Sequence, residues 1–215
     1  MRRGKFIVFE GIDGCGKGTQ LKLSSSYLLD FSKDIILFLT REPTKDFSQI
    51  RKEMASGKAV EDKRRWYAEQ FTQDRRNHCE KYIVPNLEKG VHVLSDRYYY
   101  STLAYQQSQG LSFEELLAMQ KQYPEILIPD LVLIYDCPAD IAFERRKEGG
   151  ATDIFERDLN FQKKLRENYL KLRETLPAEN IFIINSRNPV EVVFNETKGI
   201  LKSIFTNWVL SNPKS

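Results

Sequence analysis

The 215-residue sequence predicts an α/β fold of three layers: a five-stranded parallel sheet with helices on both faces. Three features carry that reading. Short, almost unbroken apolar runs recur along the chain, long amphipathic stretches separate them, and Pro or Gly stands at most of the junctions. The first run, 6–9, is all apolar and reads as a buried strand, followed by a helical pattern over 17–29. The second strand is expected at 35–39, with helical patterns at 47–56 and 60–84 after it. Pro85 and Gly90 then separate the long helix from a third strand at 91–94. Helical patterns at 98–108 and 112–121 lead to Pro129 and a fourth strand at 131–135. Pro138 opens a helix over 139–148, and another runs over 158–174 until Pro177 stops it. The fifth strand is expected at 181–184, and Pro189 opens the last helix, 190–209. Strands alternating with helices imply right-handed crossovers.

Composition excludes several classes. Hydrophobic residues make up 41% and charged residues 29%, enough to bury a core, so wholesale disorder and a pure coiled coil are excluded. With 33 Lys+Arg against 30 Asp+Glu the chain has no excess basic charge for coating nucleic acid. Cys15, Cys79 and Cys137 show no CxxC spacing and there are only two histidines, so neither a disulfide framework nor a zinc site is supported. The N-terminal apolar run stops at Glu10, too short for a signal peptide, and no stretch approaches a membrane span. The expectation is one domain over 1–215, cytoplasmic, with no membrane or nucleic-acid partner.

In parallel α/β sheets ligands bind beyond the carboxyl ends of the strands. The first strand runs straight into Gly11-Ile12-Asp13-Gly14-Cys15-Gly16-Lys17-Gly18-Thr19 and then a helix. This is GxxxxGK in the context the motif requires, which makes it a phosphate loop (P-loop) and the fold a P-loop fold. The glycines let backbone N–H groups turn toward a phosphate, the helix N-terminus adds partial positive charge, and Lys17 adds a full one. The Ser/Thr that commonly follows the lysine and holds magnesium is Gly18 here. Gly16-Lys17-Gly18-Thr19-Gln20 is similar to the loop of adenylate kinases, which implies that Mg2+ is held through the nucleotide, water and a carboxylate elsewhere. A GTPase would need NKxD, which is absent. A kinase for a small acceptor, with a mobile lid over 145–157 containing Gly149 and Gly150 to exclude water from ATP, fits the chain better.

Three further strings accompany the loop. They are Thr40-Arg41-Glu42-Pro43 after the second strand, Phe71-Thr72-Gln73-Asp74-Arg75-Arg76-Asn77-His78 on the long helix, and Asp96-Arg97-Tyr98 to Gln106 after the third strand. In this order, the four strings resemble those of thymidylate (dTMP) kinases. The resemblance implies phosphoryl transfer from ATP to dTMP with magnesium, and a homodimer.

Residue by residue, the resemblance implies the following roles. Lys17 and the loop residues Gly11, Asp13, Gly14, Cys15, Gly16, Gly18 and Thr19 hold the donor phosphates. Phe71 and Arg75, four apart on one helix face, stack on thymine and bond its O4. Arg97 grips the acceptor phosphate, where a guanidinium can bind in a bidentate fashion. Asp96 holds magnesium through water or orients the acceptor. Thr102 and Gln106 face the thymine edge, Tyr105 lies where a ribose 2′-OH would clash, and Asp13 accepts from the sugar 3′-OH. Arg41 and Arg51 add positive charge near the acceptor phosphate. Arg145 stacks on adenine, and Asn185-Ser186-Arg187 borders it. Some thymidylate kinases carry a catalytic arginine in the loop where this chain has Gly14, so the lid is expected to supply that charge. The lid arginine of the family pattern is Ile154 here, which leaves Arg146, Lys147 or Arg157, with Arg146 the catalytic candidate.

Two other readings stand beside this one: an adenylate- or uridylate-type kinase, suggested by the GKGTQ string, and a nucleotide-binding module without transfer activity, suggested by Gly18 and Ile154. The apolar stripe at 199–210 reads as a final helix packed on the sheet, and Tyr98-Tyr99-Tyr100 as helix packing. The loop position of Cys15 is one where a lowered thiol pKa can arise.

Overall fold

A computed structural model describes residues 2–47, 63–148 and 159–210. Five parallel strands form one sheet: β1 Phe6–Glu10, β2 Leu37–Arg41, β3 His92–Asp96, β4 Leu131–Asp136 and β5 Ile181–Asn185, in the order β2-β3-β1-β4-β5. Every β1 residue is buried, as expected for the central strand of a sheet covered on both faces, whereas β2 and β5 at the edges are partly exposed. β2 begins two residues later than its apolar run suggests. Ile36 is 61% exposed and joins the sheet only through its carbonyl, which accepts from His92 N–H.

The helices are α1 Lys17–Phe31, α2 Arg64–His78, α3 Val84–Glu88, α4 Tyr99–Ser108, α5 Phe113–Lys121, α6 Ala139–Glu148, α7 Leu159–Thr175 and α8 Val190–Leu210. The expected pattern at 47–56 lies largely outside the described residues; Lys45–Phe47 form a 3-10 turn. Pro85 does not end the long helix as expected. Residues Cys79–Ile83 form a π turn in which Val84 N–H reaches back to the Cys79 carbonyl, and Pro85 then falls in the first turn of α3, where its missing N–H costs nothing.

The two faces of the sheet are separated by side-chain parity. Phe6 and Glu10 point toward Tyr98, Ser101 and Tyr169, on or next to α4 and α7. His92 and Tyr135 point the other way, onto Phe205, Trp208 and Thr197 of α8, which packs on α1. The register pairs Phe9 with Asp96, Arg41 with Asp96 and Asp136 with Asn185. The polar residues that end the strands therefore emerge together along one edge of the molecule.

Candidate active site

β1 delivers its last residue, Glu10, into the buried base of this edge, and the glycine-rich loop follows. Gly11, Gly14 and Gly16 all have positive φ, so the chain can double back before α1 begins at Lys17. At Gly14 a Cβ would stand 2.1 Å from the Ala142 carbonyl oxygen and 2.9 Å from Arg146 Cγ. The loop and α6 thus touch backbone to backbone, and the space a side chain at position 14 would need is filled by the helix that bears Arg146.

Asp13 is the meeting point of the charges. Lys17 Nζ lies 3.0 Å from Oδ1, and Arg97 donates to the same oxygen at 2.5 Å. Tyr105 donates to Oδ2 at 3.0 Å, and Arg146 stands 3.6 Å from it. Burial alone would push the Asp13 carboxyl upward. Arg97 and Lys17 overcome that and hold it well below the usual carboxylate range. Arg97 itself has φ of 76°, an uncommon conformation for a residue with a side chain. Its N–H bonds the Phe9 carbonyl and its own carbonyl accepts from Ser95 Oγ at 2.7 Å. Beyond it, Glu10 accepts from Tyr98 N–H, from Ser101 N–H and hydroxyl, and from Tyr169 OH. Burial raises the Glu10 carboxyl pKa despite these donors. Arg97 completes the set by donating to Ser101 Oγ at 2.9 Å and to the Tyr169 hydroxyl at 3.2 Å. A strained arginine held at so many points is one whose position matters.

A second cluster lies beside it, where α2, α4 and α5 meet the end of β2. Arg75 is buried, with its Nε donating to Glu42 at 2.7 Å, one terminal nitrogen to Gln120 at 2.7 Å and the other to Thr102 at 3.2 Å. Its guanidinium carbon stands 5.4 Å from the centre of the Tyr98 ring. Phe71, one turn earlier on α2, is half-buried and stacks on Phe47 with ring centres 4.5 Å apart. Gln106 is buried one turn after Thr102. Tyr105 faces Arg97, its ring 5.3 Å from that guanidinium.

The remaining candidates are spread along the same edge. Arg41 is exposed and 3.7 Å from Asp96 Oδ2, while Asp96 Oδ1 is buried without a hydrogen-bond partner. Arg145 is fixed by the carbonyls of Ser186 at 3.0 Å and Arg187 at 3.4 Å; the Arg187 side chain is exposed. Thr19 is exposed on the first turn of α1, and Gly18 beside it has open space around its Cα. Arg51, Gly149, Gly150, Ile154 and Arg157 lie outside the described residues, as does much of the expected lid. The thiol of Cys15 departs from expectation: burial pushes its pKa up, with Lys17 opposing only in part. Sequence reasoning gave no role to Glu10, Gln120 or Tyr169, and took Glu42 only as part of the Thr40–Pro43 string. Glu10 was detectable as a carboxylate closing an apolar run. Gln120 and Tyr169 carry no local signal.

Comparison with known proteins places the chain as a whole. The thymidylate kinase family profile matches residues 9–197. The chain is 38% identical over 205 residues to a probable thymidylate kinase of Pyrococcus abyssi, covering 93% of this chain and 97% of that protein. It is 35% identical to the thymidylate kinase of Carboxydothermus hydrogenoformans, covering 94% and 98%. Among solved structures, that of thymidylate kinase from Ehrlichia chaffeensis superposes with a TM-score of 0.74 at 25% identity, over 93% of this chain and 99% of the other. With the phosphate loop, the arginine after the third strand and the buried arginine of the second cluster all in a chain so matched along its length, this protein belongs to the thymidylate kinase family.

Proposed function

We propose that this chain is an enzyme that transfers the γ-phosphoryl group of ATP to dTMP, giving dTDP and ADP. The observation that carries the reading is the convergence of Lys17 and Arg97 on Asp13. One cation belongs to the donor loop and the other to the strand-three turn. Two anionic nucleotides arriving from opposite sides would each take one of them. Lys17 and the loop amides hold the donor phosphates, Arg97 holds the acceptor phosphate, and Arg146 neutralises the charge that develops between them. An acceptor-phosphate oxygen bonds to the γ-phosphorus as the bond to the ADP oxygen breaks. No covalent enzyme intermediate is needed. Asp13, relieved of its cations, accepts from the sugar 3′-OH. The Tyr105 ring disfavours a 2′-OH, and Phe71 and Arg75 hold the base.

Magnesium fits this site sparingly. Among the described residues no group of three His, Cys, Asp or Glu is assembled for a metal. The buried, unpartnered Oδ1 of Asp96 is a hard oxygen suited to Mg2+ or to its water shell. When bound, the metal would neutralise phosphate charge, with Asp96 as its protein contact. Among the described residues no helix is long and apolar enough to cross a membrane. All three cysteines are buried free thiols, which supports a reducing setting.

A coupled assay of ADP release tests the reading. With dTMP, dUMP, UMP, CMP and AMP offered separately, release should require an acceptor and be fastest with dTMP. Faster turnover of AMP or UMP, or release without any acceptor, would overturn it.

A further inference from the structure

The second cluster carries more than a pair of base-binding residues. An arginine side chain has five N–H donors. In Arg75 one goes to Glu42, one to Gln120 and one to Thr102. One N–H on each terminal nitrogen is therefore left, and those are the groups that can meet a base. Their direction is set from behind. Glu42 is buried, and its second oxygen is taken by His78 Nδ1 at 3.1 Å. The other ring nitrogen of His78 is paired with Thr40 Oγ1 at 2.7 Å. Gln120 is held equally tightly: its oxygen accepts from Arg75, while its amide nitrogen donates to Thr72 Oγ1 at 2.8 Å and to the Leu116 carbonyl. The Gln120 amide thus has one productive orientation, with its acceptor facing Arg75.

We propose that Glu42 and Gln120 are positioning residues for acceptor-base selection, fixing the Arg75 guanidinium so that its two remaining donors face a carbonyl oxygen. A pyrimidine bearing a carbonyl at position 4 satisfies them. A cytosine, with an amino group there, sets donors against donors in a buried site, an arrangement that costs far more than a lost contact. Selection between the two bases then depends on side chains that do not touch the nucleotide. This inference rests on the proposed dTMP kinase activity.

The test is steady-state kinetics on the full chain with dTMP and dCMP, for wild type, Glu42→Gln, Gln120→Met, Arg75→Ala and the Arg75→Ala/Glu42→Gln double variant. Each positioning variant should raise KM for dTMP by about tenfold, keep kcat and the KM for ATP within about threefold, and narrow the dTMP-over-dCMP preference. In the Arg75→Ala background, Glu42→Gln should add nothing to the loss of preference. Wild type inactive on dTMP would sink the underlying activity. Wild type active, with both positioning variants retaining its KM and preference, would sink this inference alone. So would losses shared equally by kcat and both substrates, which is the pattern of a merely structural defect. Should Glu42→Gln fail to fold by circular dichroism, Gln120→Met, which removes no charge, decides the matter by the same criteria.

Discussion

Asp13 gathers Lys17, Arg97 and Arg146 around one carboxylate. A carboxylate so placed keeps three neighbouring cations from repelling one another, and in the proposed reaction the same cations turn to phosphate oxygens. Arg97 differs from Lys17 in how it is held, since it occupies a strained backbone conformation and bonds four side chains. Removing it should leave the core intact, because its partners Ser101, Tyr105 and Tyr169 all have a second hydrogen bond. Arg97→Ala is therefore expected to lower turnover by more than roughly tenfold with an unchanged circular dichroism spectrum. Normal turnover in that variant would show that the acceptor phosphate is bound elsewhere. At this scale the sequence was informative only where chemistry is local. The loop lysine follows from the spacing of its motif, while the arginine after the third strand and the Phe71/Arg75 pair follow from strings that resemble those of thymidylate kinases. The partners of Glu42, Gln120 and Tyr169 do not, because each is reached through a contact 33 or more residues away along the chain.

Between elements, the contact of the phosphate loop with α6 is the tightest constraint on the site. Gly14 is needed twice over, once for its φ of 87° and once because the Ala142 carbonyl occupies the space a methyl group would need. That proximity brings Arg146 over the loop, 3.6 Å from Asp13. The glycine was visible as part of the motif, but the reason for it was not, since it depends on a backbone 128 residues further on. A Gly14→Ala variant must rotate the loop or push α6 away. It should lose about 1–3 kcal/mol of stability, as overpacking and left-handed strain predict, and lose turnover by more than about tenfold because Lys17 and Arg146 no longer face a common point. Thermal unfolding and initial rates measured on one preparation check both halves, and a stable, active variant would show that the contact is not a constraint.

Across the whole molecule, the sheet was legible because its interior strands are buried on both faces and carry apolar runs, while the blurred start of β2 reflects an edge strand with exposed side chains. The order of the strands and the pairing of faces were not, because they arise from helix packing. One consequence of that packing sits at the end of the sheet opposite the site. His92 opens β3 fully buried, its Nδ1 accepting from Lys5 N–H at 2.8 Å and its ring lying edge-on to Phe205 and Trp208 of α8. Burial lowers its pKa to about 4, Lys5 adds to the effect and Asp130 opposes it. The unfolded chain, with an ordinary histidine near 6.5, binds the proton first as pH falls, so the stability contributed by neutral His92 is complete above about pH 6.5 and drains away between there and about pH 4. At pH 5 the loss from this one group is about 2 kcal/mol. Urea unfolding at pH 7.5 and pH 5 should show that loss in the wild type. His92→Gln, which offers Lys5 an acceptor without a titrating ring, should show a fall smaller by about that amount. If wild type and variant lose the same stability over this interval, the histidine is not held neutral by the packing of α8 on β3, and the acid sensitivity of the protein belongs to its carboxylates.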